Sequence, residues 1–126
     1  MVIDTSAIVA IALNEPDAAA LEARIADDPV RLISAATVLE ATIVLETRLG
    51  EAGGREFDLW LHRIAADIVP VDAEQTETAR RAWRRYGKGR HPAALNYGDC
   101  FAYALATTRG EPLLYKSEDF AKTEVG

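Results

Sequence analysis

The feature that most constrains this chain is an alternation. Short apolar runs of strand length, VID (2–4), VRLIS (30–34), DIVPVD (67–72) and PLLYK (112–116), are separated by stretches with helical periodicity. Strands alternating with helices in this way favour an α/β domain with a largely parallel sheet. A length of 126 residues suits one such domain with one sizeable core. The expected fold is therefore a single domain over residues 1–126, a mostly parallel sheet of four to five strands flanked by helices. In such sheets the binding crevice lies outside the carboxyl ends of the strands. Asp4 stands at one such end, and Lys116 to Asp119 at another.

The first helix is expected over Ala7 to Leu13, opened by Asp4-Thr5-Ser6 and stopped near Asn14-Glu15-Pro16. Asp17 is placed to cap a second helix, which Pro29 ends. The third, Ala35 to Gly50, is apolar over most of its circumference and so is expected to be buried on several sides. Gly53-Gly54 reads as a separator before a fourth helix over residues 55–67. Asp72 caps a fifth, residues 88–95 form a loop, and a sixth helix runs from Asn96 to Gly110. The strand over residues 67–72 is weakened by Pro70, which suits an edge.

The net charge of −6 argues against a general nucleic-acid coat. Its distribution is uneven. Between Arg80 and His91 the chain carries Arg80, Arg81, Arg84, Arg85, Lys88 and Arg90 with no acid among them. Such a strip is either a solvated helix face or a phosphate-binding surface, and Arg84, Arg85, Lys88, Arg90 and His91 are its candidate nucleic-acid contacts. Trp83 and Tyr86 could stack bases but at helical spacing read as packing, as do Tyr97 and Cys100. The lone Cys100 excludes an internal disulfide and a multi-cysteine zinc site. No apolar run approaches the roughly 20 residues of a membrane span, and the acid at position 4 makes a poor signal peptide, so a reducing cytoplasm is the expected setting.

Several carboxylates sit where a structural reading and a chemical one compete. Asp4 can cap the helix that follows or hold a metal. Glu40 lies on the apolar third helix, where a carboxylate needs a cation or a metal unless Arg48 or solvent satisfies it. Asn96-Tyr97-Gly98-Asp99 has the spacing of a capping box, yet a short carboxylate in a first turn can also serve a metal. Glu118 and Asp119 follow the last strand directly. Magnesium takes oxygen ligands and keeps several waters, so a few carboxylates suffice, and a divalent ion relieves their mutual repulsion. It also polarises a phosphoryl oxygen and lowers the pKa of a bound water.

With these residues in view, the chain resembles VapC-type toxins of the PIN-domain ribonuclease family. The matching segments are VIDTSAIVAI at the start, Leu39-Glu40, LNYGDCFAYALA around Asp99 and PLLYKSEDFAKTEV at the end, with GGREFDLWLHRIAADIVPVD and RRYGKGRHPAALNYGD between. The resemblance implies that Asp4, Glu40 and Asp99 hold magnesium, or manganese in its place, with Glu118 or Asp119 as the fourth acid. Ser6 would be a supporting hydroxyl near the metal, and Lys116 a supporting residue of the last motif. Ser117 departs from the glycine common at that place, and the tail to Gly126 is short for the subgroup. The resemblance further implies hydrolysis of RNA to 3′-hydroxyl and 5′-phosphate ends, a homodimer, and inhibition by a VapB-type antitoxin that inserts an arginine near the acids. DNA would be reached only through that antitoxin.

Three other readings compete. A receiver-like phosphotransfer domain fits the length and Lys116, but needs two acids at the end of the first strand where the chain offers one. A metal-free ribonuclease would rely on His62 and His91. A non-catalytic RNA-binding module would use the carboxylates only as caps.

Overall fold

The computed structural model describes residues 1–116 and 123. Four strands form one sheet: β1 (Val2–Ile3), β2 (Leu32–Ser34), β3 (Asp67–Val69) and β4 (Leu113–Leu114). Their order is β3-β2-β1-β4 and every pairing is parallel. Six helices flank it among the described residues: α1 (Thr5–Ala12), α2 (Ala18–Asp27), α3 (Ala35–Leu49), α4 (Glu51–Arg63), α5 (Ala73–Tyr86) and α6 (Tyr97–Arg109). The mostly parallel α/β expectation holds, with β3 at an edge as Pro70 suggested.

Both faces of the sheet are covered, which is why its strands read as continuous apolar runs. Neighbouring residues feed opposite faces. Val2, Leu32 and Leu113 join one core cluster with Ala79, Ala82 and Tyr86 of α5 and Tyr103 and Leu105 of α6. Ile3, Ile33 and Leu114 join the other with Ile8, Leu21, Ile25, Leu45 and Phe57 from α1 to α4. Because all strands run the same way, their carboxyl ends share one edge. The backbone N–H of Asp4 donates to the Leu114 carbonyl at 3.0 Å, tying the end of β1 to the end of β4.

Three expectations are corrected. Gly53-Gly54 does not separate α3 from α4 but lies inside α4. A Cβ at Gly53 would stand 2.8 Å from the Leu45 carbonyl oxygen, and one at Gly54 would overlap the Glu46 carboxylate. The glycines therefore let two helices pack closely across a tight turn at Gly50, whose φ of +74° suits glycine. Asp17 precedes α2 but makes no side-chain cap; its carboxylate turns to Lys116 instead, 3.6 Å from the ammonium. Finally, α3 is not buried on several sides. Leu39 and Ile43 are 62% and 57% exposed, so within one chain its outer face is both apolar and open.

Candidate active site

Three of the expected acids come from three segments, Asp4 after β1, Glu40 on α3 and Asp99 on α6. Asp4 leaves β1 and caps α1, and its side chain is only 2% exposed. Ser6 directs both its backbone N–H (3.0 Å) and its hydroxyl (2.7 Å) to the same oxygen, Oδ2. Burial pushes the Asp4 carboxyl above its ordinary range; the Ser6 bonds oppose that shift, and the negative charge of Glu40 adds to it.

Glu40 sits on the inward flank of α3, half-buried. Among the described residues no arginine pairs with it, the alternative that the sequence left open. Its Oε1 accepts from the Thr5 hydroxyl at 2.5 Å, and its Oε2 lies against Gly98, so closely that a side-chain carbon there would overlap it. Glu40 thus adjoins the residue after Asp4 on one side and the residue before Asp99 on the other.

Asp99 is buried in the first turn of α6 and forms the capping box read from the sequence. Its Oδ2 accepts from the Asn96 N–H at 3.0 Å, and its own N–H donates to Asn96 Oδ1 at 2.9 Å. The structural reading of Asp99 as a capping residue is therefore met. Among the described residues no three His, Cys, Asp or Glu side chains stand together as a formed metal cluster. Glu118 and Asp119, the expected fourth acid, lie outside the described residues, as does Ser117.

Ser6 and Lys116 are linked. The Lys116 N–H donates to the Ser6 hydroxyl at 2.9 Å, and that hydroxyl donates to Asp4. The Lys116 ammonium turns away to Glu15 at 3.0 Å, a bond that is the main reason its pKa is raised. Lys116 thus meets the site through its main chain.

The basic strip is exposed at Arg84, Arg85, Lys88 and Arg90. Arg90 stacks over the Trp83 ring at 4.2 Å, Arg85 over Tyr86 at 5.0 Å, and Arg80 pairs with Glu77. His91 accepts the Ala93 N–H through Nδ1 and meets Tyr86 edge-on at 5.0 Å. Tyr86 and Cys100 pack inside as expected, and burial pushes the Cys100 thiol up to about 11. Tyr97 does not pack: it is 81% exposed and meets Phe101 at the mouth of a groove between α5 and α6.

Sequence reasoning missed Thr5 and Gly98. One signal was available for the second. Glycine inside a helix costs about 1 kcal/mol relative to alanine, so a glycine in the first turn of α6 asks for a close neighbour.

The family model described as PIN domain matches residues 1–126. A protein named Ribonuclease VapC from Mycolicibacterium smegmatis is 63% identical, over 99% of this chain and 97% of that relative. Ribonuclease VapC30 from Mycobacterium tuberculosis is 58% identical over 99% of this chain and 95% of its own. Among solved structures, Mycobacterium tuberculosis VapC20, described as a sarcin–ricin loop cleaving toxin, superposes with a TM-score of 0.76 at 19% identity, covering 95% of this chain and 92% of that one. VapBC2 from Rickettsia felis, bound to a DNA fragment from its promoter, gives 0.73 at 16% identity, covering 96% and 90%. At those identities the structural likeness speaks to fold. Among the described residues no helix is long and apolar enough to cross a membrane.

Proposed function

This chain belongs to the PIN-domain family and, within it, to the VapC ribonucleases, and from that premise we propose that it is a toxin that hydrolyses RNA with magnesium, manganese substituting. The observation that carries the reading is the buried Asp4 with a second carboxylate, Glu40, held beside it at the carboxyl edge of the sheet. A carboxylate so desolvated is costly to ionise without a cation nearby. The donors fit a hard divalent ion, since Asp4, Glu40 and Asp99 offer only oxygen. When bound, magnesium would polarise the scissile phosphate and lower the pKa of the attacking water. Ser6 orients Asp4, the Asn96 capping box orients Asp99, and Glu118 or Asp119 would supply the fourth acid.

The partner in this reading is a VapB-type antitoxin, with DNA reached only through it. A groove of about 340 Å³, with Ile8, Ile11, Phe57 and Trp60 beside the charged Glu56 and Arg63, is the surface we assign to antitoxin docking. The exposed Leu39 and Ile43 on α3 support a homodimer. Cytoplasm, where RNA and magnesium abound, is the matching compartment.

The direct test is to incubate the purified, antitoxin-free chain with RNA and magnesium and to sequence the released ends. Discrete 5′-phosphate ends are expected. RNA that stays bound and uncut would replace the nuclease with the non-catalytic module. The arginine strip has its own test. If Arg84 and Arg85 each contact a phosphate, replacing both with Ala should weaken RNA binding and flatten the log–log salt slope by roughly 1.4, at about 0.7 per phosphate on a single strand. Metal affinity should stay put. A slope equal to wild type would make the strip a solvated face.

A further inference from the structure

We infer that Thr5 and Gly98 are positioning residues that together seat the Glu40 carboxylate, an inference that rests on the nuclease reading above. Glu40 projects from α3 on a side chain with three rotatable bonds, and nothing in its own helix holds its head. Two other helices supply the restraint. Thr5, the first residue of α1, donates its hydroxyl to Oε1 at 2.5 Å. Gly98, in the first turn of α6, offers bare backbone where any side chain would occupy the place of Oε2. The carboxylate is bonded on one side and confined on the other.

The two residues bracket the acids in sequence. Thr5 follows Asp4 and Gly98 precedes Asp99, so seating Glu40 between them sets its distance to both neighbours through one peptide unit each. The like charge of Glu40 acts on Asp4, which makes this position unfavourable for a free glutamate side chain. Left unrestrained, Glu40 would swing to solvent, because the outer face of α3 is open. The seat holds it where a divalent ion needs an oxygen donor. Groups that orient metal ligands in this way typically change metal affinity or activity by about 10–100-fold when lost.

The atoms that would clash at Gly98 belong to the end of a flexible side chain and not to backbone. Gly98→Ala should therefore displace Glu40 and leave the helix intact, and alanine is the better helix former. A purely structural role for Gly98 predicts the reverse: lost stability with metal binding unchanged.

The experiment compares Thr5→Val, Thr5→Ser and Gly98→Ala in the full chain. Mn²⁺ binding is measured by electron paramagnetic resonance without RNA, thermal unfolding without metal, and kcat and KM on an RNA oligonucleotide. Thr5→Val and Gly98→Ala should bind Mn²⁺ about 10–100-fold more weakly and lose kcat more than KM. Thr5→Ser, which keeps the hydroxyl, should return to within about threefold of wild type. Gly98→Ala should unfold no earlier than wild type. Wild-type Mn²⁺ affinity in both Thr5→Val and Gly98→Ala would overturn the inference while leaving the nuclease standing. So would a Thr5→Ser variant as impaired as Thr5→Val, since a methyl contact and not the hydroxyl would then matter. A wild-type chain that binds no Mn²⁺ would remove the nuclease reading, and this inference with it.

Discussion

Asp4→Asn should lower RNA cleavage by about a thousandfold or more, roughly 4 kcal/mol of transition-state stabilisation, while the chain stays folded. The two halves of that expectation have different physical sources. Asparagine is as good an N-cap as aspartate, and its side-chain oxygen can still accept the Ser6 N–H that opens α1. The neutral amide also removes the cost of ionising a side chain that is almost wholly buried and faces Glu40. Metal-free stability should therefore hold or rise. On the proposed metal-dependent reading, the variant would lose charge where a divalent cation needs it, and with that the activation of water and phosphate. Excess EDTA on the wild type should reproduce the same loss, and magnesium should reverse it. The measurements are kcat/KM on a fixed RNA and a thermal melt without metal. Cleavage within tenfold of wild type would place the chemistry elsewhere. Lost cleavage together with an early melt would make Asp4 a cap and no more.

Ile3→Ala should be the most damaging single change to the fold, at about 2–5 kcal/mol. Ile3 lies in the inner strand β1, is fully buried, and packs with Ile8, Ile33, Leu45 and Leu114 on one face of the sheet. Truncation leaves a cavity that four elements would have to close at once, and the parallel pairing of β1 on both sides resists that movement. Against a total stability of about 5–15 kcal/mol such a loss is severe. It should lower the melting temperature by roughly 10 °C or more. Urea unfolding gives the number directly, as a lower midpoint at unchanged slope. A loss under about 1 kcal/mol would mean that the core on this face is looser than the burial of Ile3 indicates. Because Ile3 precedes Asp4, residual cleavage below the melt also reports how firmly β1 sets the site.

The local signals in the chain were dependable where one residue does its work within its own turn. Asp4, Asp72 and Asn96 cap the helices they were expected to cap, because an N-cap bond spans two or three residues. Asp17 failed as a cap, and its carboxylate lies instead beside the ammonium of Lys116, 99 residues on and just past β4. Gly53-Gly54 failed as a separator because the glycines answer to Leu45 and Glu46 across the turn and not to local breaking. Asp4 was legible at a strand end, Glu40 as a carboxylate on an apolar helix and Asp99 in a capping box, and resemblance implied their roles. Thr5 and Gly98 were not legible, since neither does anything for Glu40 until three helices meet.

Short apolar runs and period-3.6 patterning, with end signals acting over a turn or less, determined by themselves the class of fold, the order of its elements and the edge on which Asp4 would stand. Only the tertiary structure decided which oxygen meets which donor: that Glu40 is seated by Thr5 and Gly98, that Lys116 reaches Ser6 through its main chain, and that Leu39, Ile43 and Tyr97 face outward. Such contacts join residues far apart in the chain. Their energies depend on distances of a few tenths of an ångström that no local pattern encodes.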